Sequence, residues 1–214
     1  MAQKGNNFER EVSRALSLWW TGGEEDDVFW RNRVRRTGKA YNAQMQEGDL
    51  IATKEIGVPF TEFFCVECKS GYSIKRSPTK KTKEKKKQRK TVEKTKNVPW
   101  DLLEVIDSDK KKPVILSFWE QVDKAGELTH RMPILIFKRD FHTPVVVVGD
   151  CFHDAFFSYD DLNLPPVPVH LTLAGCVEDT VLTFYKMDDF LKMLPPDTVH
   201  RKWKEKKYRA RGRK

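Results

Sequence analysis

The sequence predicts one α/β domain in which strands are flanked by helices, and three observations carry that expectation. Phe8, Val12, Ala15, Leu16 and Trp19 recur at helical spacing and form one apolar stripe near the start. Short runs rich in Val, Ile and Phe, bounded by turn residues, read as buried strands at 49–53, 61–69, 132–138 and 144–149. The length of 214 residues suits one sizeable core. The expected organisation is a core over 1–150 with a lysine-rich insertion at 71–97, an α/β extension of the same domain at 151–200, and a basic, mobile tail at 201–214.

Taken in order, Asn6 or Asn7 is the expected cap of a first helix that runs to Trp19 or Trp20. Glu9 and Glu11 border its apolar stripe on opposite sides, and periodicity does not choose which of them reaches a neighbouring site. A turn with two glycines and four acids, Thr21 to Asp27, leads to a strand Val28 to Arg36. Strands 49–53 and 61–69, joined through Gly57 and Pro59, are expected to form an antiparallel pair. Pro99 to Asp107 is a short helical candidate. Ser117 to Glu120 fits a capping box that opens a helix ending near Gly126. Beyond Asp150, 159–169 reads as a loop, 170–174 and 180–185 as strands, and 187–194 as a helix stopped by Pro195 and Pro196.

Charge is unevenly distributed. Residues 74–96 hold twelve Lys/Arg and two Glu, and 201–214 hold nine Lys/Arg and one Glu. These segments carry +18 of a net charge of +9, so about −9 is left for the rest of the chain. Basic segments on an acidic body point to a polyanion partner with local acidic sites. The plainer reading is a solubilising loop and tail. No apolar run reaches the roughly 18 residues of a membrane span, and the first twenty residues lack the apolar core of a signal peptide. An intracellular, cytoplasmic protein without membrane contact is expected.

Cys65 and Cys68 have C-x-x-C spacing, but a three-residue offset in a strand puts their thiols on opposite faces. No second pair completes a zinc site, so reduced packing cysteines are expected.

The chemistry concentrates at the end of the strand FFCVECKS, residues 63–70, where Glu67 and Lys69 share a face. A carboxylate and an ammonium at the end of a buried strand cost desolvation energy unless they pair or hold a metal and a phosphate. Asp49 lies at the mouth of the preceding apolar run. Two carboxylates and a backbone carbonyl are hard oxygen donors suited to Mg²⁺. A lysine beside them could orient water or stabilise charge in a transition state. The alternative is an ordinary Glu67–Lys69 ion pair with an unrelated turn aspartate.

The order Lys4-Gly5-Asn6-Asn7-Phe8-Glu9-Arg10-Glu11, then Gly48-Asp49, then Glu67-Cys68-Lys69 resembles the PD-(D/E)xK nuclease superfamily, with a closer likeness to archaeal-type Holliday-junction resolvases and related phage nucleases. The family's Pro-Asp appears here as Gly48-Asp49, and the proline supplies no ligand. The resemblance covers roughly residues 4 to 138. It implies a restriction-endonuclease-like α/β core, a mixed central sheet flanked by helices, and Mg²⁺-dependent phosphodiester hydrolysis with Mn²⁺ as a substitute. DNA is then the partner, branched DNA among the candidates, and homodimers are common in the family. It selects Glu9 over Glu11. The expected catalytic residues are Glu9, Asp49, Glu67 and Lys69, and the expected metal ligands are Glu9, Asp49, Glu67 and the Cys68 carbonyl. Lys4, Arg33, Arg35, Arg36 and Gln121 are the expected nucleic-acid contacts. The alternative from another class is a non-catalytic nucleic-acid-binding protein acting through its basic insertion and tail.

Overall fold

A computed structural model describes residues 2–32, 47–70, 114–139, 142–156, 171–173 and 181–211. The fold is α/β, with a mixed five-stranded sheet flanked by helices. Its elements are α1 (Ala2–Trp20), β1 (Phe29–Arg31), β2 (Leu50–Ala52), α2 (Val58–Phe63), β3 (Phe64–Ser70), α3 (Val114–Thr129), β4 (Met132–Lys138), β5 (Val145–Gly149), α4 (Asp150–Phe156), β6 (Leu171–Leu173), β7 (Leu182–Lys186), α5 (Met187–Met193) and α6 (Pro196–Arg211).

The sheet order is β3-β4-β5-β7-β6. β3 and β4 are parallel, with Phe64 opposite Met132 and Ser70 opposite Lys138, and the remaining neighbours are antiparallel. A parallel pair needs a crossover, and α3 immediately precedes β4 in that connection. β7 joins β5 directly, so residues after Asp150 continue the same sheet.

Alternation along β3 separates two cores. Phe64, Val66 and Cys68 pack with Phe8, Val12 and Leu16 of α1, whereas Cys65 packs with Trp119 and Val122 of α3. Cys65 and Cys68 are buried free thiols on opposite sides, as their spacing requires. Burial pushes the Cys65 thiol up to about 11 and holds the Cys68 thiol well above its ordinary value.

Several elements differ from the sequence reading. α1 begins at Ala2 rather than at an Asn6 or Asn7 cap, and the Asn6 side chain instead accepts a hydrogen bond from Arg31 Nη2 at 2.8 Å. The pairing expected between 49–53 and 61–69 is replaced by an antiparallel β1–β2 ribbon. The physical reason lies in the chain around Pro59: Pro at the start of α2 favours a helical turn, and Phe60 and Phe63 bury on it. β3 therefore starts at Phe64. β1 covers 29–31 of the expected 28–36, of which 33–36 lie outside the described residues, and α3 is longer than the expected 117–126 at both ends. A helix, α4, forms at 150–156, where the sequence signal was weak.

The segment expected to be a basic tail is helical through Arg211 as part of α6. Its Trp203 indole donates to Glu62 Oε2 at 2.8 Å, and Lys206 Nζ donates to the His130 carbonyl at 2.7 Å. The first contact docks α6 on α2, and the second ties it to the turn that follows α3. The candidate helix 99–107, the loop 159–169 and the whole of the 71–97 insertion lie outside the described residues. No helix among the described residues is long and apolar enough to cross a membrane.

Candidate active site

Among the described residues β3 is the edge strand of its sheet, and its outer side receives the residues before β2. The Asp49 N–H donates to the Val66 carbonyl at 2.7 Å, and Asp49 Oδ2 accepts from the Cys68 N–H at 2.8 Å. The N–H and C=O of one strand residue point the same way, so Val66 and Cys68 turn their backbone groups toward Asp49. The Cys68 carbonyl therefore faces the same edge of β3 as its N–H.

Gly48 explains the close approach. Its φ is +87°, and a Cβ built there would lie 3.0 Å from the Val66 carbonyl oxygen and 3.2 Å from Cys65 Sγ. A proline, as in the family pattern, cannot adopt that φ. This Gly-Asp step is therefore a different local backbone, not a silent replacement.

On the α3 face, Glu67, Lys69 and Gln121 form a triangle. Lys69 Nζ lies 2.6 Å from Glu67 Oε1, Gln121 Nε2 donates to the same oxygen at 2.8 Å, and Lys69 donates to Gln121 Oε1 at 3.0 Å. The Lys69 ammonium also stands 5.6 Å from the centre of the Phe118 ring. Glu67 is only 2% exposed. Burial first, and then the Glu67 charge, push the Asp49 carboxyl up from 3.8 to about 7, against the lowering effect of the Cys68 hydrogen bond. Two acids crowd one place.

Glu9 contributes more weakly to that crowding. Its Oε2 is 3.4 Å from Arg31 Nε, on the α1 side of β3. Glu11 points elsewhere, to Lys138 Nζ at 2.6 Å. The choice between the two acids thus has a structural counterpart: Glu9 faces Asp49 electrostatically and Glu11 pairs with the end of β4. Among the described residues, no group of three or more His, Cys, Asp or Glu side chains is arranged to hold a metal ion. Of the expected donors, Asp49 bonds the Cys68 N–H and feels the Glu67 charge and, less strongly, that of Glu9, whose Oε2 lies 3.4 Å from Arg31 Nε. Arg33, Arg35 and Arg36 lie outside the described residues, as does the Lys4 side chain.

Sequence reasoning missed Arg31 as the partner of Glu9, Asn32, and Arg131. Asn32 donates its N–H to the Asp49 carbonyl at 2.6 Å and its side-chain amide to the Gly48 carbonyl at 3.2 Å. Arg131 is a buried guanidinium bonded to backbone carbonyls, including that of Glu47 at 2.6 Å. A single Asn or Arg beside a strand carries no spacing signal. Comparison with protein-family models, with curated proteins and with solved structures found no match.

Proposed function

We propose that this chain is a Mg²⁺-dependent DNA endonuclease with a restriction-endonuclease-like core. The observation that carries the reading is that Asp49, bonded to the Cys68 N–H, lies under the charges of the paired Glu67 and Lys69 at the end of β3, across two elements that pair in no common ladder. The donor set fits a hard divalent cation, because two carboxylates and a carbonyl are oxygen ligands and a cation would relieve the crowding at Asp49. Bound by them, Mg²⁺ would supply Lewis-acid activation of water and neutralise charge on the scissile phosphate.

The remaining roles belong to the chain itself. Asp49 is fixed through its carboxylate by the Cys68 N–H, which costs no rearrangement when substrate arrives. Lys69 is held between Glu67 and Gln121, so its ammonium has a defined position from which to orient a nucleophile or meet a phosphate oxygen. Gln121 sets both neighbours at once. Glu9 would join the site by exchanging its Arg31 partner for the cation, while Arg31 keeps its hydrogen bond to Asn6. Holliday-junction-like branched DNA is the substrate to try first.

The test is cleavage of branched, duplex and single-stranded DNA with Mg²⁺ by wild type, Asp49→Ala and Lys69→Ala. Wild-type cleavage with a loss of about 10²-fold or more in each variant is expected. Three equally active or equally inactive proteins would sink the reading. One observation favours a second reading, a non-catalytic nucleic-acid-binding protein: α6 presents Arg201 and Lys204 as exposed cations on one docked helix. In that case DNA binding is salt-sensitive, no cleavage occurs, and Asp49→Ala changes nothing.

A further inference from the structure

We infer that Arg131 is a positioning residue that anchors the 47–49 backbone against β3 and thereby places the Asp49 carboxylate; its bearing on catalysis rests on the nuclease reading above. Arg131 immediately precedes β4 and is 8% exposed. Its Nη2 donates to the Glu47 carbonyl at 2.6 Å, and its Nη1 reaches the Thr61 carbonyl at 3.2 Å and the Phe64 carbonyl at 3.5 Å. Its Nε donates to Thr129 Oγ1 at 3.0 Å. One rigid fork therefore ties together the end of α2, the start of β3 and the residue two before Asp49.

The base of this fork is itself fixed. His130 takes a left-handed φ of 53°, which turns the chain out of α3. The Arg131 N–H then donates to the Gly126 carbonyl at 2.9 Å, and a Cβ at Gly126 would lie 2.7 Å from the Arg131 carbonyl oxygen. Thr129 Oγ1, which receives Arg131 Nε, donates onward to the Ala125 carbonyl at 2.7 Å. The guanidinium thus extends from an immobilised backbone.

At the other end, only Gly48 separates the anchored Glu47 carbonyl from Asp49. Gly48 is pressed on Val66, and Asp49 makes its two bonds to Val66 and Cys68. Asn32 holds the same step from the β1 side. A lysine at 131 could satisfy one of these carbonyls but could not span all of them.

The experiment compares full-length wild type, Arg131→Met and Arg131→Lys by amide hydrogen exchange and by calorimetric titration with Mg²⁺ alone. In Arg131→Met the Asp49 and Cys68 amides are expected to lose protection at least about tenfold more than the β5 amides 145–149, with Arg131→Lys intermediate. Mg²⁺ affinity is expected to fall by about 10- to 100-fold in Arg131→Met. Equal loss of protection at β5, at Asp49 and at Cys68 in both variants would mark Arg131 as a general stabiliser and overturn the inference. So would unchanged protection at Asp49 and Cys68, or unchanged Mg²⁺ affinity once that protection is gone. Should wild type neither bind Mg²⁺ nor cleave DNA, the nuclease reading fails, while the exchange data still decide the anchoring by themselves.

Discussion

Two lysine–carboxylate groups in this molecule have similar chemistry and different surroundings. Lys69 lies 2.6 Å from Glu67, with side-chain exposures of 16% and 3%. Lys54 lies 3.0 Å from Glu25, with exposures of 40% and 44%, and also pairs with Asp27. Around Lys54 the charges are solvated, so the pairs contribute little to stability and closing the turn does not depend on them. Around Lys69 the desolvation cost is incurred in a strand that could have been wholly apolar. The Glu67–Lys69 pair also shares its oxygen with Gln121 and sits beside Asp49, whose carboxyl is pushed up to about 7. Pair strength alone does not account for the buried group, and a chemical role is what the proposed function assigns to it.

The largest expected effect that would sharpen this contrast is Lys69→Met, which keeps the stem and removes the charge. Cleavage of DNA should fall by about 10²- to 10³-fold while DNA affinity changes little, and kcat measured at saturating DNA checks it. Glu9→Gln should also lose activity, by about 10-fold or more, while Glu11→Gln retains it, since Glu11 is engaged with Lys138. Equal losses in both would break the assignment of Glu9.

A smaller effect concerns stability. The Asp49 carboxyl is raised in the folded state from 3.8 to about 7, so the folded protein holds its proton more tightly than the unfolded chain does. Its destabilising contribution is absent below about pH 4, grows as pH rises to about 7, and is full above that. Asp49→Asn should therefore melt higher than wild type at pH 8 in EDTA, by roughly 3 °C or more, with the difference vanishing near pH 4. Mg²⁺ should raise the wild-type Tm at pH 8 and leave that of Asp49→Asn nearly unmoved. A lower Tm for Asp49→Asn at pH 8 would show that the Cys68 hydrogen bond outweighs the buried charge. The smallest effect is expected for Lys54→Ala, whose midpoint in urea unfolding should stay close to that of wild type. A larger loss would erase the distinction between the two groups.

The packing role of Cys65 and Cys68 was legible because strand alternation is local geometry. β4 matched its expected span of 132–138, since an apolar run bounded by turn residues has few alternatives. Glu67 and Lys69 on one face followed from the same rule. The helix around Pro59 was not legible, because Phe60 and Phe63 read equally well as strand residues until their partners Trp19, Trp20 and Phe64 are in place. Arg31, chosen by Glu9 and Asn6, and Arg131, chosen by three carbonyls distant in sequence, depend on long-range contacts and leave no local pattern.

By itself the sequence determined an α/β chain with two basic segments on an acidic body and an acid–lysine pair at the end of one buried strand. It did so because periodicity and charge are properties of neighbouring residues. The tertiary structure alone decided that β2 pairs with β1, that Asp49 reaches β3 through single hydrogen bonds beside Gly48, and that the basic C-terminal residues through Arg211 form a helix docked on α2. Those outcomes rest on contacts between residues far apart in the chain, whose free energy appears only when the whole core closes.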